Sequence, residues 1–205
     1  MHDAEGTPQA PQTADPEGGL RSRLVRAGVE LVNDEGAHTL SLREIARRAG
    51  VSHGAPRRYF PTHLDLLSAV ARQGLDELAA RITEEDPETA TARERIEGLA
   101  RVYVDFAATR RGMYELMFRH DLLESGRLGL RETSLPLFAR LVGLVARVHP
   151  GGDPAARAGA LWANLHGLVQ LRHGGSLGLA TGRDDPEALL AAVLDAHLGP
   201  PEAAV

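Results

Sequence analysis

The chain has 205 residues, 43% apolar and 25% charged, which is enough for one or two compact domains and unlike a disordered composition. It has no cysteine and no lysine, so all 23 basic residues are arginine; disulfides, thiolate nucleophiles, cysteine-ligated metals, a lysine-dependent phosphate loop and Schiff-base chemistry are excluded. The net charge of −5 is unevenly spread: residues 1–19 hold four acids and no arginine, residues 20–73 hold nine arginines against five acids, and the remainder is acidic again.

Aromatics make up only 4% and β-branched runs are rare beside Ala, Leu, Arg and Glu, which points to an all-α fold. Residues 1–19 are rich in Pro, Gly, Thr and Gln without apolar periodicity, and they are expected to form a disordered tail. Helical spacing starts at Leu20 and stops at the turn Asn33-Asp34-Glu35-Gly36. Ser41 followed by Glu44 reads as a capping box, with Leu40 and Ile45 as its hydrophobic staple, opening a helix over Leu42 to Ala49 that Gly50 closes with a left-handed residue. Ser52 then caps a second short helix to about Phe60, which places Pro56 about four residues inside it, an uneasy position for a residue without an amide. Thr62 and Asp65 form a third cap, before an amphipathic stretch with Leu64, Leu67, Val70, Ala71, Leu78 and Ile82 on one face. Further helices are expected at 91–108, 110–121, 127–149, 154–173 and 186–198, with Gly, Pro and Asp at the joints.

Two short helices around a Gly turn, with a helix before and a long one after, describe a helix-turn-helix whose second helix is sized for the major groove of double-stranded DNA. Packing Ile45, Ala46, Ala49, Val51 and Phe60 inward leaves Arg43, Arg47, Arg48, His53, Arg57, Arg58 and Tyr59 outward or to one side. Arg43, Arg57 and Arg58 suit bidentate contacts with guanine or reach phosphates, while Ser41, Ser52 and Thr62 at helix starts suit phosphate oxygens. The run from Leu40 to Leu67 resembles the DNA-binding domain of the TetR family of bacterial transcriptional regulators, and the resemblance covers residues 20–75. It implies a homodimeric repressor, with a reader domain at 20–75 and a domain at 76–200 that binds a small effector and dimerises through its last two helices. Carried over by position, the resemblance puts base contacts at Arg43, His53, Gly54, Arg57 and Arg58, and phosphate contacts at Ser41, Ser52, Tyr59, Thr62 and His63. Pro56, Arg57 and His63 depart from the family's usual Leu, Tyr and Lys, and a neutral His63 is a weaker phosphate anchor than Lys.

Beyond residue 90 the resemblance thins. Trp162 to Leu168 looks like the Trp and His-Gly pattern of one subgroup of that family's C-terminal domains; Trp162 and His166, four apart, share a helix face. Two readings stand side by side: a pocket wall where His166 meets a polar ligand atom, or a structural histidine on a backbone carbonyl beside a core Trp. The cluster Tyr103, Phe106, Met113, Tyr114, Met117 and Phe118 is either core or the wall of an apolar effector pocket that Phe138 and Leu141 would close. No pair of histidines and acids has metal-ligand spacing, no catalytic set is close in sequence, and neither a metal, a cofactor nor an enzyme activity is expected. No signal-like segment precedes the first helix and the longest uncharged stretch, Ala158 to Leu171, is too short for a bilayer, so a cytoplasmic protein without membrane contact is expected. An effector-independent DNA-binding protein, and a helical small-molecule binder with a vestigial helix-turn-helix, remain as alternatives.

Overall fold

Short polar side chains at the helix starts divide this chain into its elements. The computed structural model describes residues 16–126, 129–182 and 185–200; among them are eleven α-helices and no strand. They are α1 (Pro16–Glu35), α2 (Leu42–Arg48), α3 (Ala55–Tyr59), α4 (His63–Glu84), α5 (Ala92–Thr109), α6 (Arg111–Met117), α7 (His120–Glu124), α8 (Leu130–Val148), α9 (Pro154–His173), α10 (Ser176–Thr181) and α11 (Pro186–Leu198). Of the tail expected at 1–19, residues 1–15 lie outside the described residues, and 16–19 already belong to α1, which starts four residues before Leu20.

The Ser41 hydroxyl accepts from the Glu44 amide at 3.1 Å, as the spacing predicts. The second half of that box is absent, because the Glu44 carboxylate turns to the Arg47 guanidinium. Gly50 closes α2 at φ +67°: its amide bonds to the Arg47 carbonyl at 3.2 Å and the Val51 amide to the Ala46 carbonyl at 3.0 Å, the paired bonds of a Schellman turn. The third helix starts later than expected. Gly54, not Ser52, holds its cap position, so Pro56 falls in the first turn, where no helical partner is due for an amide, and its ring is buried in the inward position. Thr62–Asp65 at α4 and Thr91–Glu94 at α5 are complete capping boxes, the second not anticipated.

Packing joins the helices into one continuous core. Leu24, Leu31, Leu40, Ile45, Phe60, Leu66 and Val70 seat α1, α2 and α3 on the first half of α4. Gly28 marks the closest approach there, since a Cβ on it would lie 2.6 Å from Val70 Cγ2. The same helix runs unbroken past residue 75 and packs against α5, α6 and α8. The side chain of Asp86, just beyond its end, is only 5% exposed and pairs with both Arg95 of α5 and Arg140 of α8. The expected helix at 110–121 is split by Phe118 and Arg119 into α6 and α7; α10 was not anticipated; and the start of α8 is Leu130 rather than 127, residues 127 and 128 lying outside the described ones. No helix among the described residues is long and apolar enough to cross a membrane.

Candidate functional site

Burying Pro56 and Phe60 on one side of α3 turns the other side outward. Arg57 and Arg58 are exposed on it, His53 and Gly54 are exposed in the turn before it, and Arg43 is exposed on α2. These are the five positions expected to meet bases, and all five are exposed. Four other arginines of the block hold protein groups. Arg47 holds Glu44, Arg48 bridges Asp34 at 2.8 Å and Glu35 at 3.1 Å at the end of α1, Arg23 donates to the Ala49 carbonyl at 2.9 Å, and the Arg21 guanidinium lies 5.5 Å over the Phe60 ring.

The five phosphate positions divide by what their polar atoms already do. Ser41 and Ser52 are exposed, and the Ser41 hydroxyl accepts its cap bond with its own proton left to donate. Tyr59 is half-buried against the core at the end of α3. The Thr62 hydroxyl donates to the Asp65 carboxylate at 2.7 Å, so its proton is taken and a negative group stands beside it. His63 Nε2 lies 2.8 Å from the Leu40 carbonyl, which only accepts, so Nε2 carries the ring proton and donates it there. Nε2 is thus engaged within the protein, and Nδ1 is the ring's other polar atom.

Residues of α4 to α9 line a partly open cavity of about 260 Å³. Tyr103, Met117, Phe118, Phe138, Leu141 and Trp162 line it, six of the ten expected pocket residues. Phe106 and Met113 do not: Phe106 is buried under the Arg81 guanidinium, 5.4 Å from the ring, and Met113 is buried against Gly74 of α4. Tyr114 and His166 stand behind Tyr103 rather than on the cavity. Sequence reasoning missed Leu75, Leu78 and Ile82 of α4, Leu99, Leu123, and Ser134, Leu135 and Leu137 of α8. The spacing puts Leu78 and Ile82 on the apolar face of their helix, and periodicity does not distinguish a face turned to protein from one turned to a void. None of the described lining residues is charged.

Three polar atoms converge behind the cavity wall. His166 Nδ1 is 2.6 Å from Tyr114 Oη and 2.9 Å from Tyr103 Oη, and the two hydroxyls are 3.0 Å apart. Burial pushes the Tyr103 phenol up to about 12, against hydrogen bonds with Tyr114 and Trp162 that pull it down. Burial also raises Tyr114, helped by the neighbouring Tyr103, and lowers His166, so both phenols are protonated and the imidazole is neutral at pH 7. His166 therefore bonds to side chains rather than to a backbone carbonyl, and Trp162 is not core but 40% exposed, tilted between Phe118 and Phe138 at centroid distances of 6.2 and 6.0 Å. Among the described residues no three His, Asp or Glu side chains gather as a metal site.

Residues 24–70 match the family model described as bacterial regulatory proteins, tetR family, and residues 96–197 match that described as tetracyclin repressor-like, C-terminal domain. The HTH-type transcriptional activator FasR of Mycolicibacterium smegmatis is 31% identical over 101 residues, 49% of this chain and 46% of its own length. The chain spans less than half the length of the curated relatives it matches. A solved protein of unknown function from Rhodococcus sp. RHA1 has a TM-score of 0.76 at 27% identity, covering 93% of this chain and 97% of that one. The multidrug-binding protein EbrR, solved with imidazole, has a TM-score of 0.62 at 27% identity, covering 96% and 100%.

Proposed function

The chain belongs to the TetR family of DNA-binding transcriptional regulators, and from that premise we propose that it is a homodimeric repressor released from its operator by a small, uncharged, largely apolar effector. The observation that carries this reading is the path of α4: its first half supports the helix-turn-helix, and Leu75, Leu78 and Ile82 on its second half line the cavity. An effector filling the cavity displaces those side chains, tilts α4 and changes the separation of the two reading helices. A dimer needs them about 34–36 Å apart to enter successive major grooves, and a coupling of about 1–3 kcal/mol is enough for induction.

Arg43, Arg57 and Arg58 are the base-reading arginines in this account, with His53 and Gly54 beside them. Ser41, Ser52 and Tyr59 meet phosphates, and Thr62 and His63 mainly hold the start of α4. The effector is uncharged because an ion would be buried among the lining residues without a counter-charge. Dimerisation through α9 and α11 is supported by exposed apolar surface on both: Leu171 on α9, and Ala188, Ala191, Ala192 and Ala196 on α11.

A double substitution, Arg57→Ala with Arg58→Ala, tests the reading. Binding of labelled genomic fragments should be lost while thermal stability and dimer formation are retained; retained DNA binding would contradict it. The name of the FasR relative favours a second sign of regulation, activation from the same operator, which a promoter-reporter assay with and without this chain separates.

A further inference from the structure

The chain has only eight aromatic side chains, one Trp, three Tyr and four Phe, and half of them gather on one cavity: Tyr103, Phe118, Phe138 and Trp162 all line it. They form a continuous run of rings, with centroids 6.1 Å apart from Tyr103 to Phe118, 6.2 Å from Phe118 to Trp162 and 6.0 Å from Trp162 to Phe138. Their planes are inclined at 66°, 45° and 58°, so no pair is stacked flat. A further ring entering such a wall meets faces and edges at the inclined angles that ring quadrupoles favour. The rest of the lining is mostly aliphatic, including Leu75, Leu78 and Ile82 of α4. Two lining residues, Leu135 of α8 and Trp162 of α9, are 55% and 40% exposed and mark where the cavity opens to solvent. An indole left this open in the free chain offers apolar area that a guest covers. An apolar cavity of about 150 Å³ holds benzene. At about 260 Å³ this one has room for a second fused ring.

We propose that the cavity takes a neutral aromatic compound of about two fused rings, held against Phe118, Phe138 and Trp162, with any polar substituent at the mouth between α8 and α9. This rests on the cavity being the effector site and names the chemical class that it reads. A saturated compound of the same skeleton gains the burial but not the ring contacts, which favour the aromatic one by about threefold to tenfold beyond area alone.

The probes are 2-naphthalenemethanol, its fully saturated analogue decahydro-2-naphthalenemethanol, and benzyl alcohol, titrated by calorimetry against the full chain at neutral pH. Dividing each affinity by the probe's own partition from water into alkane removes its bulk hydrophobicity. On that scale the naphthalene probe should bind about threefold to tenfold tighter than its saturated analogue. Benzyl alcohol should bind about tenfold weaker than the naphthalene probe in direct affinity, because it leaves the second ring's area unfilled. Trp162 is exposed and Phe138 half-buried, so the double variant Trp162→Leu, Phe138→Leu removes little of the core; it should bring the aromatic and saturated probes to within about twofold. Equal scaled affinity of those two probes for the unsubstituted chain, a comparison that needs no variant to fold, overturns this inference and leaves the effector cavity standing. So does a preference unchanged in the double variant, or benzyl alcohol binding as tightly as the naphthalene probe. No saturable binding of any of the three overturns both the inference and the cavity's role as effector site.

Discussion

A Cβ on Gly112 would stand 2.5 Å from the backbone oxygen of Val32, so the start of α6 rests directly on the main chain at the end of α1. One residue later Met113 presses on Gly74 of α4, and one turn on, Met117 lines the cavity. The short helix α6 is therefore wedged between the DNA-reading unit and the ligand cavity, touching both through positions that leave no spare room.

Gly112→Ala should destabilise the chain by about 1–3 kcal/mol, because the obstacle is backbone and cannot change rotamer. Calorimetry should show Tm lowered by roughly 2–4 °C per kcal/mol. An unchanged Tm would mean that α1 and α6 separate freely.

Arg43 and Arg48 lie five residues apart and should behave in opposite ways. Arg48, 22% exposed and joined to Asp34 and Glu35, ties α2 to α1; Arg48→Ala should lower stability by about 0.5–1 kcal/mol. Arg43 is exposed with no ion-pair partner among the described residues, so Arg43→Ala should leave stability unchanged and weaken operator binding about tenfold. Urea unfolding and fluorescence anisotropy on the two variants check both halves.

Asp86 neutralises two arginines from different helices in a nearly buried setting. Asp86→Asn should cost about 2–4 kcal/mol, at the lower end of the range for broken buried pairs because Arg95 and Arg140 keep some solvent contact. Chemical denaturation reads this directly, and a loss below about 0.5 kcal/mol, the scale of an ordinary surface pair, would contradict it.

Burial lowers His166, and burial with the Arg111 charge lowers His173. Below the ordinary histidine value of 6.5 the unfolded chain therefore binds protons that the folded chain resists, so the stability these groups confer is present above that pH and lost as pH falls through it. Tm should decline between pH about 6.5 and the onset of carboxylate protonation. The decline should flatten in the double variant His166→Gln, His173→Gln; an equal slope in both proteins would refute the assignment.

Bonds that close within one turn were legible in the sequence. Ser41 with Glu44, Thr62 with Asp65 and the Gly50 turn involve atoms three to five residues apart, and their side chains leave few other ways to satisfy the helix-end amides. Even there the competition between partners was hidden, since Glu44 chooses Arg47 over the Ser41 amide. Pairings across the chain left no trace: Arg48 with the end of α1, Asp86 with α5 and α8, and Tyr103 with Tyr114 and His166 across 11 and 63 positions. Phe106 and Met117 share one aromatic and Met cluster, yet one faces protein and the other the cavity, because spacing sets burial and the neighbouring helices decide what fills the space.

Selecting fragments of genomic DNA with the full chain at physiological salt, then sequencing those retained, tests the central claim most directly: that the arginines of α3 read duplex DNA twice in a symmetric pair. The expected result is enrichment of an inverted repeat whose half-sites are centred about 10–10.5 base pairs, or a multiple, apart. Retained fragments no different in sequence from random duplex would contradict it.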